Sequence, residues 1–163
     1  MVDLVATGKS LAELFTELNS CKYLFLRELN EPKINSLRLV VEEGKLSPAS
    51  SSFKIGGVVI SGGYDVLSGE RTSRFEIAWD HYIAYSVMKE MYAVPDKSET
   101  FELGNLVRVY SESKFLQYVG HTTGSHEQNP SPWQHIEIIC EWHVIDVIST
   151  AVPTVKNLRS GAQ

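Results

Sequence analysis

Between Arg74 and Tyr92 the chain reads RFEIAWDHYIAYSVMKEMY. Phe75, Ile77 and Trp79 alternate with Glu76, Ala78 and Asp80. Successive strand residues point to opposite faces, so this pattern predicts a strand with one side buried. The stretch from Tyr82 to Val87 is again β-branched and aromatic. The segment reads either as one long strand or as two strands with a turn near Asp80-His81. Residues 135–149, HIEIICEWHVIDVIS, have the same strand character, and Pro153 is expected to end them.

Other segments add to this frame. SLAELFTELNS, residues 10–20, predicts a helix. Ser10 and Glu13 form a capping-box pair, and Leu11, Leu14, Phe15 and Leu18 fall on one stripe. Short strands are expected over residues 23–26, 37–41, 53–60 and 106–110. GKLSPASSS, residues 44–52, reads as a polar loop, Gly56-Gly57 as a bulge or a close backbone approach within a strand, and Gly62-Gly63 and Ser68-Gly69 as turns. Ser111 or Ser113 should cap a short helix with Phe115, Leu116 and Val119 inward and Gly120 as its stop. HTTGSHEQNPSP, residues 121–132, is a long polar loop.

The helices do not alternate with the strands, so a parallel βαβ sheet is not expected. The expected class is α+β: a single domain over residues 1–158, mainly an antiparallel curved β-sheet. An N-terminal helix packs on one face and a second short helix is present. Residues 159–163 form a frayed tail. The 163 residues suit one domain, and 43% hydrophobic with 21% charged residues is an ordinary globular balance.

Charge and cysteine content narrow the function classes. Lys plus Arg is 15 and Asp plus Glu is 20, giving a net charge of −5. The basic residues are scattered, which argues against nucleic acid as a partner, and the negative balance suits a basic protein instead. No stretch approaches the roughly 18 apolar residues of a membrane span, so no membrane partner is expected. The start of the chain lacks the features of a secretory signal. Cys21 and Cys140 lie in separate apolar segments and read as buried small hydrophobes in a cytoplasmic protein.

Chemical motifs are sparse. Gly8-Lys9-Ser10 opens a helix, but a phosphate loop needs a glycine five residues earlier, where Asp3 stands. No dinucleotide fingerprint, zinc-protease motif, paired-cysteine motif or nucleophile elbow occurs, so no cofactor and no metal is expected. Of the five histidines, His81, His121, His126, His135 and His143, two share the 121–132 loop, with no third ligand specified. Two segments repeat one set of ingredients: Trp79-Asp80-His81 and Glu141-Trp142-His143. If each sits at a bend, Asp80, His81, Glu141 and His143 are candidate acid–base residues, since a carboxylate can orient an imidazole. The plainer account makes the tryptophans core or edge aromatics and the rest solvated turn residues.

Tyr82, Tyr85, Arg108, Tyr110 and Trp142 are candidate binding residues. Tyr82 and Tyr85 have opposite parity and should face opposite sides of a regular strand. Arg108 stands alone in an apolar run and either faces solvent or pairs with a carboxylate such as Glu76 or Glu90. The run FEIAWDHYIAYSV with the later IICEWHVIDVIS resembles small bacterial proteins with a W-D-x-Y-I-A-Y core. The likeness covers roughly residues 72–150. It implies a compact bacterial cytosolic domain, no activity, and no residue roles.

Three functions remain open. The first is a protein-binding module that resembles the acidic immunity proteins that neutralise bacterial toxins. The second is a small-ligand-binding protein or hydrolytic enzyme with its site near the Trp79 and Trp142 strand ends. The third is a structural homodimer formed through sheet edges or the aromatic-rich middle. Whether the chain is an enzyme is left undecided by the residues.

Overall fold

The computed structural model describes residues 11–102, 104–123 and 132–159. The Ser10 half of the capping box, the Gly8-Lys9-Ser10 turn, the side chains of Leu11 and Leu14, and His126 lie outside the described residues.

The elements run α1 (Leu11–Ser20), β1 (Tyr23–Asn30), β2 (Leu37–Ile55), β3 (Val58–Leu67), β4 (Arg74–Trp79) and β5 (Ala84–Lys89). A 3-10 turn at Glu90–Tyr92 follows, then β6 (Thr100–Glu102), β7 (Val107–Glu112), α2 (Lys114–Thr123), β8 (Gln134–Ile139), β9 (His143–Ser149) and β10 (Thr154–Asn157). The class is α+β, and every strand pairing is antiparallel.

The strands divide between two sheets. The first has the order β1-β2-β4-β10, with β3 added on β2; the second has the order β5-β9-β8-β7-β6. The alternation over residues 75–80 is realised in β4, where Phe75, Ile77 and Trp79 are buried and their strand neighbours are partly covered. They meet Leu24, Leu37, Leu39, Val41 and Val155 of the first sheet and Val107, Ile136, Ile138, Ile145 and Val147 of the second in one core. Shared burial of that kind makes the two sheets one hydrophobic unit.

Helix α1 joins the sheets by packing against β10 and β7, with Phe15 and Leu18 buried in the core. Its last turn is tied down through Asn19. The carboxamide oxygen accepts from the amides of Leu106 and Val107, each at 2.9 Å, and the carboxamide nitrogen donates to the Val107 carbonyl at 3.1 Å. Gly104 lies against this clasp at φ 44°, where an added Cβ would stand 1.9 Å from Asn19 Cγ.

Several local expectations change. The Asp80-His81 segment is no hairpin turn: β4 belongs to the first sheet and β5 to the second, so these residues carry the chain between sheets. The polar stretch 44–52 is not a loop but the middle of β2. Pro48 is accommodated because the β2–β3 ladder slips between the Leu46 and Ser50 pairs, leaving its missing N–H outside the ladder. Gly56 and Gly57 form the two-residue connection between Ile55 and Val58, both at positive φ, as a tight hairpin of this length requires. Gly62 and Gly63 lie inside β3.

Ser113 caps α2, its Oγ accepting from the Leu116 amide at 3.0 Å. Gly120 does not stop that helix, which runs on to Thr123; a single glycine costs a helix only about 1 kcal/mol. After Pro153 the chain forms β10. Arg159, expected in the frayed tail, is docked: it donates to Glu42 at 2.8 Å and to the Thr72 hydroxyl at 3.2 Å. No helix among the described residues is long and apolar enough to cross a membrane.

Candidate functional site

The outward face of the second sheet carries a polar row that the sequence did not announce. Across the register, Ser86 stands opposite Asp146, Asp146 opposite Glu137, and Glu137 opposite Arg108. Four strands therefore contribute one residue each to a single line. Cross-strand neighbours have Cβ atoms about 4.5–5.5 Å apart, so two carboxylates sit side by side at its centre.

Each is held differently. Asp146 accepts from Ser86 Oγ at 3.1 Å and contacts His135 Nε2 at 2.9 Å. Glu137 accepts from Arg108 Nη1 at 3.1 Å and from Tyr110 Oη at 3.0 Å. Burial raises the Glu137 carboxyl above its ordinary value; its bond from Tyr110 and the charge of Arg108 oppose this, and neighbouring Asp146 adds to it. Burial likewise pushes the Tyr110 phenol up to about 12.

His135 is the pivot. Its ring stacks on Tyr110 with centroids 4.6 Å apart and meets the Phe115 edge at 5.6 Å. Its Nδ1 lies 2.7 Å from Ser113 Oγ. Since that Oγ already accepts the Leu116 amide, the consistent arrangement has the hydroxyl donating to Nδ1 and the Nε2–H donating to Asp146.

A line of Ser113, His135 and Asp146 has the composition of a hydrolytic triad. Ser113, however, is only 2% exposed, and its oxygen is engaged by the helix end. It holds the imidazole rather than reaching a substrate. His135, Asp146, Glu137 and Tyr110 share one cleft. It measures about 370 Å³ and is also lined by Met88, Tyr92, Val94, Phe115 and Val144. A second hollow of about 260 Å³, lined by Phe101 and Arg108 among others, shares Val94, Glu99, Tyr110, Glu137 and Val144 with it. The connection from β5 to β6 forms one wall and α2 another.

The acid–histidine candidates read from the sequence are not brought together. Ala84 pairs with Ile148 and Lys89 with His143, so Asp80-His81 precedes one end of the β5–β9 pair and Glu141–His143 closes the other. Five strand steps, about 16 Å, separate those ends. Asp80 and His81 are exposed; Glu141 and His143 are partly covered. Trp79 is core, whereas Trp142 is 64% exposed and packs its ring on Phe25 at 5.6 Å.

Tyr82 and Tyr85 do not diverge. Their rings meet edge-on at 5.0 Å and both phenols donate to Glu31, because Tyr82 precedes β5 and escapes strand parity. Arg108 pairs with Glu137, not with Glu76 or Glu90; Glu76 is taken by Arg38 at 2.7 Å. Of the candidate binding residues, Arg108 and Tyr110 belong to the cleft.

Both cysteines are free thiols. Burial pushes Cys140 up to about 12 and Cys21 to about 11, so neither offers a thiolate near neutral pH. Among the described residues no group of three or more His, Cys, Asp or Glu is placed to hold a metal ion.

A second surface stands apart from this cleft. Within the first sheet, β2 is flanked by β1 and β4 only as far as Gly44 and Glu42; residues 45–55 pair with β3 alone. This two-stranded arm extends about 30 Å at strand rise. No residue of β3 is buried. Ile55, Val58, Val59, Ile60, Tyr64 and Leu67 are all between 43% and 65% exposed.

These features define a two-sheet α+β sandwich bearing a bare hairpin arm and a polar cleft on its second sheet. No family model, curated protein or solved structure is matched by this chain.

Proposed function

We propose that the protein is a binding module that engages a basic partner protein through the β2–β3 arm. The observation that carries this reading is the arm itself. A lone two-stranded ribbon is marginally stable in water, and apolar residues in a row on it gain nothing from the isolated monomer. Its open strand edges offer backbone groups for strand addition. A net charge of −5 steers a basic partner and opposes a second acidic copy. Two free cysteines suit a reducing compartment, in keeping with a cytoplasmic location.

The test is a quantitative pull-down from the source cell with the natural chain and with Val58→Glu and Ile60→Lys. These positions are exposed, so both variants fold normally. The natural chain recovers one stoichiometric partner, less of it at high salt, and the variants lose it. Equal recovery by all three, or recovery of nothing across several salt conditions, would overturn the reading. Light scattering over a concentration series separates a self-assembling chain from one that binds a different protein.

A further inference from the structure

The polar row over the second sheet is independent of the arm, and its cleft has a definite chemical character. Five carboxylates line the two hollows, Glu90, Asp96, Glu99, Glu137 and Asp146, against two cationic side chains, Arg108 and Lys114. Both cations are already engaged: Lys114 with Asp96, and Arg108 with Glu137. Lys114 also faces Glu99, whose carboxylate accepts from the Lys114 backbone amide at 2.8 Å, but among the described residues no lysine or arginine is ion-paired with Glu90 or Asp146. The walls are apolar, with Met88, Val94, Phe115 and Val144 facing the larger hollow. Asp146 is fixed by Ser86 and His135, and His135 in turn by Ser113, so this acceptor is held in place before anything binds.

From this we infer that the cleft binds a small organic ammonium ion with an apolar segment, its charged head on Asp146 and Glu137 and its hydrocarbon along Val94, Val144 and Phe115. A neutral or anionic ligand of the same shape lacks the attraction, because a carboxylate in a partly desolvated site favours a donor cation.

The experiment titrates the full chain with n-hexylammonium, 1-hexanol and hexanoate at pH 7 while amide chemical shifts are followed. Hexylammonium should give saturable shifts in β8, β9 and the 90–99 connection, binding roughly tenfold or more tightly than hexanol. Hexanoate should not bind. Asp146→Asn should remove most of that preference. Should that variant fold poorly, Val94→Lys serves in its place. Val94 is 86% exposed at the cleft mouth, and a lysine there should weaken hexylammonium binding several-fold without touching the core. Equal affinity for hexanol and hexylammonium, preference for hexanoate, no saturable shift at tens of millimolar, or unchanged binding in Val94→Lys would each overturn the inference.

Discussion

Glu42 shows how a single residue organises distant parts of the chain. It is 6% exposed in the first sheet, and burial alone would raise its carboxyl. The Arg27 bond at 2.8 Å, the charges of Arg27 and Arg159, and the Thr72 hydroxyl outweigh burial and hold it below the ordinary carboxylate value. The native state therefore binds fewer protons than the unfolded one as pH falls through the usual carboxylate range. The stability is present above the unfolded value of 4.5 and lost as pH drops below it toward the lowered native value. Glu42→Gln should cost about 1–3 kcal/mol at neutral pH, since it leaves both arginines without their anion. Denaturant titrations at neutral and acid pH check this: the gap between the natural chain and the variant should narrow as pH falls. A constant gap across pH would contradict it. None of this was legible in the sequence, where Arg159 reads as tail. The Phe75, Ile77 and Trp79 positions were legible, because alternation specifies burial one residue at a time.

At the scale of elements, the α2 cap holds His135 on the second sheet's outer face, and the clasp of Asn19 ties α1 to β7. Ser113 serves two partners, the Leu116 amide and His135 Nδ1. Ser113→Ala should destabilise by about 2–3 kcal/mol, roughly 1 for the cap and the rest for an unsatisfied buried ring nitrogen. Ser113→Asn keeps a cap and should recover part of the loss. Thermal melts of the three proteins decide it, and equal midpoints would remove the double role. Gly104→Ala should cost more than an ordinary loop substitution, because its Cβ would displace the Asn19 carboxamide from three backbone partners. The cap was readable because a serine before an apolar helical run is a local signal. The length of β2 was not. A ribbon solvated on both faces shows no alternation, and a proline with a serine run imitates a loop.

For the whole molecule, the core and the arm should behave as separable parts. Replacing residues 47–65 by Asn-Gly joins Leu46 to Val66, a native cross-strand pair, through a two-residue turn. The shortened protein should melt within a few degrees of the natural one, since the removed residues are mostly exposed and absent from the shared core. A large fall in the midpoint would show that the arm supports the sandwich. Backbone amides of the arm should exchange with solvent far faster than those of β8 and β9, whose strands lie inside the second sheet.

Period-two spacing alone determined which side of β4 turns inward, and the absence of helix–strand alternation determined an antiparallel α+β class. These are properties of a strand and its immediate neighbours along the chain. Only the tertiary structure decided that β4 and β5 part into different sheets. That division set the two tryptophan stretches at opposite ends of one strand pair and aligned Ser86, Asp146, Glu137 and Arg108 instead. Register between strands far apart in sequence is set by how two sheets close over a common core, and no local pattern encodes which distant residue will lie alongside.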